Sequence, residues 1–287
     1  MRNTKSNFKR AAVAVALVIG LTGCEDFGIC GLTEDDLSMG DAFVETTGYF
    51  MNVVTRADQA MRDGDLQQNG TTTIDGATVS LANDSLTIDF GANNVSTADG
   101  KMRRGKIVGA ITGDYFNLNG NLTLDLVNYH VDDVPITGNI SLSNDGNNNG
   151  TAPWKVTLAS TNFAIGNLYD YNSNLTMEWL NGYATTDSIE DDQFSIYGSA
   201  GGNDLQDSIS FSTAFTEAMM FDRSCEYLVK EGVVEVSLTA GTAEVATVEV
   251  DFLDGDGINS DGCNNVLMLN ASCEGTNVSF PQNFDGF

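Results

Sequence analysis

The chain has 287 residues, of which 41% are hydrophobic, 18% are charged and only three are proline. Thirteen Lys and Arg stand against 40 Asp and Glu, a formal net charge of −27. Such a length provides ample core for one large or two modest domains. So acidic a surface repels phosphate backbones, which argues against nucleic-acid binding, and fits either a well-solvated surface or cation binding.

The N-terminus has the organisation of a secretory signal peptide. Four basic residues precede an apolar run from Ala11 to Leu21, and small residues follow. At a rise of 1.5 Å per residue, this run covers only about half of the roughly 30 Å hydrocarbon core of a bilayer. We therefore predict a signal peptide over residues 1–23. Its removal takes away four of the 13 basic residues, so that nine remain against 40 acidic ones, a formal charge of −31.

The tetrapeptide that ends at Cys24, Leu-Thr-Gly-Cys, resembles the bacterial lipobox. In a lipobox the thiol takes a diacylglycerol thioether and the cysteine becomes the new N-terminus. The resemblance implies that lipid chains of the palmitate type on Cys24 anchor the protein to a membrane, because several acyl chains together anchor stably. The alternative is an ordinary signal peptide with a coincidental cysteine. Glu25 and Asp26 resemble the surface-export signals of lipoproteins from Bacteroidota-type bacteria, which implies the outer membrane, on its periplasmic or its outer face.

One helix is predicted after a tether over residues 24–38. Ser38 and Asp41 have the spacing of a capping box, and Gly64 stands where a C-terminal cap would be. The predicted helix spans 39–64, and because Gly48 weakens it by roughly 1 kcal/mol, we expect it to lie on a sheet. Its apolar stripe has the helical period: Phe43, Thr47, Phe50, Val54, Ala57 and Met61.

From about residue 71 the hydrophobic period changes to two, with turn pairs such as Asn119-Gly120, Asp145-Gly146 and Asn181-Gly182 between the runs. This pattern predicts an antiparallel β domain over 65–287, a meander of about twelve or more strands in a curved half-barrel or a sandwich. The fold class is therefore mainly β with one N-terminal helix. The alternating residues include Leu86/Ile88/Phe90, Phe116/Leu118/Leu122/Leu124/Leu126, Ile136/Ile140/Leu142, Leu175/Met177/Trp179, Phe194/Ile196, Val234/Val236/Leu238 and Val248/Val250/Phe252.

Several turn-like motifs resemble a family of lipoproteins of Bacteroidota-type bacteria that has no known activity. They are Asn128-Tyr129 to Gly138, Asp191-Asp192 to Gly198, and the ending from Cys225 through Val248–Phe252 to Cys263-Asn264-Asn265. The resemblance spans roughly residues 40–280 and implies location and fold without adding chemistry. The chain departs from the family in a longer loop between Phe252 and Cys263.

Four cysteines remain after Cys24: Cys30, Cys225, Cys263 and Cys273. An even number of thiols in an oxidising compartment favours two disulfides, with three possible connectivities. Zinc is the alternative, although close Cys-x-x-Cys pairs are lacking and the only histidine is remote in sequence. The family resemblance implies a Cys225–Cys263 bond, which leaves Cys30 and Cys273 to pair or to stay free.

Two acidic loops are candidates for structural calcium, and no other cofactor is expected. The later loop holds Asp254, Asp256, Asn259 and Asp261, but Ile258 stands where a fifth-position ligand belongs. The earlier loop, from Asp145 to Gly150, matches only the first part of a calcium loop, because Val156 replaces the final glutamate. Both loops are equally compatible with solvated hairpin ends.

No catalytic constellation is identifiable. His130 is the only histidine and no Gly-x-Ser-x-Gly motif occurs, which argues against a nucleophilic triad. The prediction is a membrane-anchored exported lipoprotein with a non-catalytic binding or structural role at the cell envelope, whose ligand or protein partner the sequence does not identify. The alternative is a surface glycan-binding protein or carbohydrate-active enzyme. Trp154, Trp179, Tyr169, Tyr171 and Tyr183 would offer it a sugar-stacking platform, but Trp154 and Trp179 share the alternation of the core residues, which favours a place in the core.

Overall fold

The structure is a computed structural model of the chain. It describes most of the sequence from Glu34 onward, with gaps within or between strands. The described residues are 34–146, 155–182, 184–185, 188–206, 208–225, 228–241, 243–252, 263, 265–273 and 276–284.

Two helices open the described chain: α1, Glu34–Arg62, and α2, Gly64–Asn69. The predicted helix boundaries differ from these, because Ser38 lies inside α1 and Gly64 begins α2 instead of capping α1. The N-terminal cap of α2 is Asp63. Its carboxylate accepts a hydrogen bond from the Leu66 amide at 2.7 Å and so satisfies a free donor of the first turn of α2. No described helix is long and apolar enough to cross a membrane.

Fourteen antiparallel strands follow and form a single meander sheet that does not close on itself. This confirms the predicted fold class and, since the strands of the described residues all belong to one sheet, favours the curved half-barrel over the sandwich. The strands are β1 Thr71–Ile74, β2 Ala77–Ala82, β3 Ser85–Ser96, β4 Met102–Thr112, β5 Asn121–Val131, β6 Val134–Asn144, β7 Lys155–Ile165, β8 Tyr169–Asn181, β9 Gln193–Asp204, β10 Ile209–Asp222, β11 Val229–Ala240, β12 Ala243–Phe252, β13 Val266–Cys273 and β14 Thr276–Asn283.

The sheet curves around α1, which contacts β4, β7, β8, β9, β11, β12 and β13. Every α1 residue from Ala42 to Arg62 is buried or half-buried, so the helix is enclosed on all sides instead of lying on the sheet by one stripe. Phe43 packs edge-on against Phe211 of β10, and Phe50 packs edge-on against Phe163 of β7. The concave side of the sheet is therefore the hydrophobic core of the protein.

The predicted alternation places the expected residues inward in most strands, as in Leu86, Ile88 and Phe90 of β3. One prediction is wrong. Phe116 and Leu118 belong to the connection before β5, where Leu118 is 51% exposed, because the alternation continues by coincidence through residues that turn.

β-Bulges give the sheet its curvature. Register shifts occur in every neighbouring pair from β3–β4 to β11–β12, and such shifts bend and twist the bulged strand. Gly138 of β6 has a φ of +115°, and a Cβ there would lie 2.5 Å from the Asn162 carbonyl oxygen of β7. Only glycine fits this close approach between two bent strands.

The connections differ sharply between the two ends of the meander, because successive hairpin turns lie at opposite ends of the strands. The connections after the odd-numbered strands have two to five residues, and we call this the short-turn end. Those after β4, β6, β8, β10 and β12 have 8, 10, 11, 6 and 13 residues. We call that the long-connection end.

Candidate functional site

Three buried charged residues and the half-buried Arg223 meet where α1 reaches the long-connection end. Asp58 and Arg62 lie one turn apart on α1, Asp192 ends the β8–β9 connection, and Arg223 begins the β10–β11 connection. The Arg62 Nε and Nη2 atoms donate to Asp58 Oδ2 at 3.1 and 3.0 Å, and Nη2 also donates to Asp192. Arg223 Nη2 donates to Asp58 Oδ2 at 2.9 Å. We call these four residues the helix-end cluster.

Aromatic residues enclose the helix-end cluster and hydrogen-bond its carboxylates. The Tyr115 hydroxyl donates to Asp58 Oδ1 at 3.0 Å, and the Trp179 indole donates to Asp192 Oδ1 at 3.1 Å. The Arg62 guanidinium lies 4.7 Å from the Trp179 ring centroid, within cation–π distance. The two carboxylates therefore accept hydrogen bonds from both charged and neutral donors, as buried charges require.

One polar atom of this cluster has no hydrogen-bond partner within the described chain, the buried Arg62 Nη1. A small pocket borders the cluster through Asp58 and Arg223 and is otherwise lined mainly by apolar side chains of α1, β8, β9 and β10. It has about 10 Å³ of space for solvent, which corresponds to roughly one water molecule.

Burial shifts the protonation equilibria of the cluster. The pKa of Asp192 is raised by burial, although Arg62 opposes the shift. Burial also raises the pKa of Tyr115 well above its ordinary value, and the adjacent Asp58 adds to this. The pKa of Arg62 is raised because Asp58 and Asp192 outweigh the opposing effect of burial. Tyr115 and Arg62 thus keep their protons at neutral pH and act as fixed donors.

A second group of charges joins α1 to the short-turn end. Arg103 of β4 donates to both carboxylate oxygens of Asp99, at 2.7 and 2.6 Å, which is bidentate geometry. Arg56 of α1 pairs with Asp75 at 2.7 Å and with Asp99 at 3.1 Å. We call Arg56, Asp75, Asp99 and Arg103 the turn cluster, because its aspartates lie in the β1–β2 and β3–β4 turns.

Every guanidinium nitrogen of Arg103 has a partner. Nε donates to the Tyr129 hydroxyl at 3.3 Å, Nη2 donates to Asn52 Oδ1 at 2.9 Å, and Nη1 also donates to the Thr97 hydroxyl. Burial acts to raise the pKa of Asp99, but the hydrogen bonds from Arg103 and Thr97, together with the positive charges of Arg103 and Arg56, outweigh it and hold that pKa well below its ordinary value. The turn cluster is therefore a fully satisfied ionic clamp between α1 and two turns.

The predicted cysteine sites are placed only in part. Cys225 and Cys263 form a disulfide with Cα atoms 5.1 Å apart, the pairing that the family resemblance implies. The bond joins two connections of the long-connection end. Cys273 is the last residue of β13. Cys24, the predicted lipidation site, and Cys30 lie outside the described residues.

The later calcium candidate, Asp254, Asp256, Asn259 and Asp261, lies outside the described residues. In the earlier loop, Asp145 accepts a hydrogen bond from the Thr157 hydroxyl at 2.5 Å, and the loop residues from 147 to 150 are again outside the described part. Among the residues that the structure does describe, no group of three His, Cys, Asp or Glu is arranged to hold a metal ion.

The other predicted candidates are dispersed. His130 is partly exposed on β5, and its Nδ1 lies 2.8 Å from the Asn128 carbonyl oxygen. Trp179 and Tyr171 are buried in the core, where Tyr171 hydrogen-bonds Thr47 of α1 at 3.2 Å, so these two do not form a surface platform for sugars. Trp154 and Tyr183 lie outside the described residues.

Part of the helix-end cluster has a local sequence signal beyond those used above. Asp58 and Arg62 have the i, i+4 spacing of a helical ion pair. Asp192 and Arg223 carry no comparable signal, because only the meander brings their connections together.

The sequence matches no protein-family model, and comparisons with curated proteins and with solved structures yield no match.

Proposed function

We propose that the protein is an exported lipoprotein, anchored in the outer membrane by lipid on Cys24, with a non-catalytic binding or structural role at the cell envelope. The anchor is supported by the basic N-terminus, the short apolar run and the Leu-Thr-Gly-Cys ending. The mature chain would begin ten residues before α1, so the β domain would stand close to the lipid.

The enclosed helix α1 is the observation that supports the binding or structural role. Because α1 and apolar side chains fill the concave side of the sheet, that side serves the stability of the domain. Partners would then contact the outer face or the ends of the sheet. The long-connection end is the more suitable of the two ends, since long loops on a rigid scaffold are where binding residues concentrate.

The buried charges fit a structural role better than a catalytic one. A general acid or base must change its protonation state during turnover. In the helix-end cluster Asp58 and Asp192 are held by Arg62, Arg223 and aromatic donors, and in the turn cluster Asp99 is held as a carboxylate by Arg103. Each group joins α1 to the sheet and so preserves the fold.

Mass spectrometry of protein extracted from membranes tests the proposal. We expect an N-terminus at Cys24 that carries the mass of a diacylglycerol thioether, and co-fractionation of the protein with outer membranes on a density gradient. Cys24→Ala should abolish the lipid mass and release the protein from the membrane fraction, whereas Cys30→Ala should leave both unchanged. A mature chain that starts elsewhere, with an unmodified Cys24 thiol, contradicts the proposal.

A further inference from the structure

The outer side of the sheet carries a broad area without charged side chains. Buried residues such as Leu122 and Leu142 alternate along each strand with residues that face outward. The cross-strand register aligns these outward residues in two adjacent rows, which we call the neutral face. The first row crosses β3 to β9 and the second crosses β4 to β9. They consist of Ser85, Ala110, Thr123, Ser141, Ala159, Asn174 and Ser199, and of Thr112, Asn121, Ser143, Thr157, Thr176 and Tyr197.

We propose that the neutral face binds an uncharged polysaccharide chain that lies across the strands. This inference rests on the proposed function and deepens it, because it assigns a ligand class to the non-catalytic binding role. Helix α1 fills the concave side of the sheet, so a ligand reaches the sheet from its outer side. Every residue of the neutral face is exposed or half-buried.

The neutral face contrasts with the charge of the chain. After Cys24 the chain carries nine basic and 40 acidic residues, whereas neither row of the neutral face contains a charged residue. Charged residues border it, with Asp125 towards the short-turn end and the Lys155–Glu178 ion pair, 3.0 Å long, towards the long-connection end. An uncharged ligand can therefore bind there without removing water from an ion, a step that costs free energy at charged surfaces.

The charge distribution also excludes anionic polymers. Basic side chains of the adjacent strand β4 already have carboxylate partners, as Lys106 has in Asp89 at 2.7 Å and Arg104 has in Asp133. The remaining field of the domain is negative and repels nucleic acids and acidic polysaccharides. A second copy of this chain is repelled for the same reason.

The side chains of the neutral face differ from those of a protein–protein interface. Such interfaces depend on large anchors, chiefly Trp, Tyr and Arg, and are depleted in Ser and Ala. The neutral face has one aromatic residue, Tyr197, and otherwise small hydroxyl, amide and methyl groups. Hydroxyl and amide groups donate and accept hydrogen bonds, which matches the hydroxyl groups of a sugar. Tyr197 adds apolar area for the carbon–hydrogen groups of a sugar ring.

Hydrogen bonds within the neutral face order one part of it and leave another part open to a ligand. On β5 and β6, Asn121 Nδ2 donates to Ser143 Oγ at 2.8 Å, and Thr123 Oγ1 donates to Asn121 Oδ1 at 3.1 Å. On β8 and β9, the side chains of Asn174 and Ser199 have no hydrogen-bond partner among the described residues. Their donors and acceptors are therefore available for a sugar.

The dimensions of the neutral face favour a polymer over a single sugar. Small-molecule sites are concave and enclose most of their ligand, whereas this face is the outer side of a curved sheet. With strands about 4.8 Å apart, the first row extends about 29 Å over its six strand intervals. A polymer can contact several strands at once, and linked weak contacts together give a higher affinity than any one of them.

Affinity electrophoresis of the full-length protein in an uncharged detergent tests the inference. Native gels should contain amylose, galactomannan, arabinoxylan or laminarin as uncharged probes, and polygalacturonate or alginate as anionic probes. We expect at least one uncharged polymer and neither anionic polymer to retard the protein. Absence of retardation by every uncharged probe, or equal retardation by an anionic probe, overturns the inference.

Asn174→Asp locates the site, because it keeps the shape of the side chain but adds a charge and removes a donor. The dissociation constant for the retarding polymer should rise at least about fivefold. Thr176→Val removes only a hydroxyl and should raise it about two- to tenfold. Asn93→Asp, the same change at an exposed position of β3 outside the neutral face, is the matched control and should leave it unchanged. Equal retardation of Asn174→Asp and Asn93→Asp overturns the location.

Lipid analysis of the same samples distinguishes failure of this inference from failure of the proposed function. An anchored protein that no uncharged probe retards overturns the ligand assignment and leaves the anchor intact. Retardation of a protein with a bare Cys24 overturns the anchor and supports the neutral face as a binding site. Release of reducing sugar ends from a retarding polymer overturns the non-catalytic role.

Discussion

The helix-end cluster and the turn cluster both join α1 to the sheet with two arginines and two aspartates, but they differ in exposure to water. In the helix-end cluster the carboxylates are sealed, with Asp58 and Asp192 only 1% and 0% exposed, and Arg62 Nη1 has no partner within the described chain. In the turn cluster Arg103 is fully buried and fully hydrogen-bonded, whereas Asp99 is 32% exposed. The comparison teaches that the loss of folding stability on disrupting an ionic clamp depends on whether water can reach the charge that remains.

Arg62→Met should produce the largest effect, because it leaves the sealed Asp192 carboxylate with Trp179 and the distant Arg223 as its donors. Breaking a buried ion pair from one side costs about 3 to 5 kcal/mol, and we expect such a loss in the free energy of unfolding from urea titration. Lys155→Met, which removes the exposed Lys155–Glu178 pair, is the matched control and should cause no measurable change. Equal stability of the two variants would contradict the conclusion that a buried carboxylate without its ion-pair partner destabilises the fold.

Arg103→Met should destabilise the protein less than Arg62→Met does. Asp99 loses its bidentate partner but can be solvated and keeps its contact with Arg56, so we expect a loss of about 1 to 3 kcal/mol in the same titration. A loss larger than that of Arg62→Met would reverse the comparison between the clusters.

Tyr115 of the helix-end cluster and Tyr129 of the turn cluster allow the same comparison of stability losses, with smaller expected effects. Tyr115→Phe removes a donor from the buried Asp58 carboxylate and should cost about 1.5 to 3 kcal/mol, as hydrogen bonds to charged groups do. Tyr129→Phe removes only an acceptor 3.3 Å from Arg103 Nε, and should cost about 0.5 to 1.5 kcal/mol. Urea midpoints of the two variants measure the difference, and the reverse order would show that the turn cluster is the more sensitive one.

A fall in pH should change the stability contributions of the two clusters in opposite directions, and this is the smallest effect that we expect. The pKa of Asp99 is depressed, so its contribution to stability is present above the ordinary Asp range near 4 and is lost as the pH falls below it. The pKa of Asp192 is raised, so the folded state takes up that proton first and gains relative stability as the pH falls toward 4.

Asp99→Asn should therefore flatten the loss of stability on acidification, and Asp192→Asn should steepen it. Urea midpoints at a series of pH values between 7 and about 3 provide the measurement. Slopes that change in the same direction in both variants would refute the opposite pKa shifts.

Much of the fold is predictable from the sequence because its signals are local. Alternating apolar residues such as Leu86, Ile88 and Phe90, with turn pairs between the runs, are sufficient to predict an antiparallel meander. The same rule fails at Phe116 and Leu118, where polarity alternates through a connection. The predicted capping box at Ser38 fails because helical residues continue on both sides of it.

The candidate site is far less predictable, because its members are distant in sequence. Asp58 and Arg62 have a recognisable helical spacing, but the position of Asp192 depends on the curvature of the sheet, which depends on the bulges. A bulge has only weak sequence signals, such as Gly138 within a strand. The enclosure of α1 by the sheet is likewise not predictable from the helix alone, because charged residues such as Asp58 and Arg62 usually face water on a surface helix.

The order of strand pairing has a consequence for how the chain acquires its structure. Each described strand pairs with its neighbours in sequence, so hairpins of low contact order can form as soon as two strands have emerged from the ribosome. Helix α1 is made before the strands, yet it packs against β12 and β13, which are among the last strands to be made. The apolar surface of the helix therefore stays uncovered until nearly the whole chain has been synthesised. During this interval the protein is most exposed to aggregation and most in need of a chaperone.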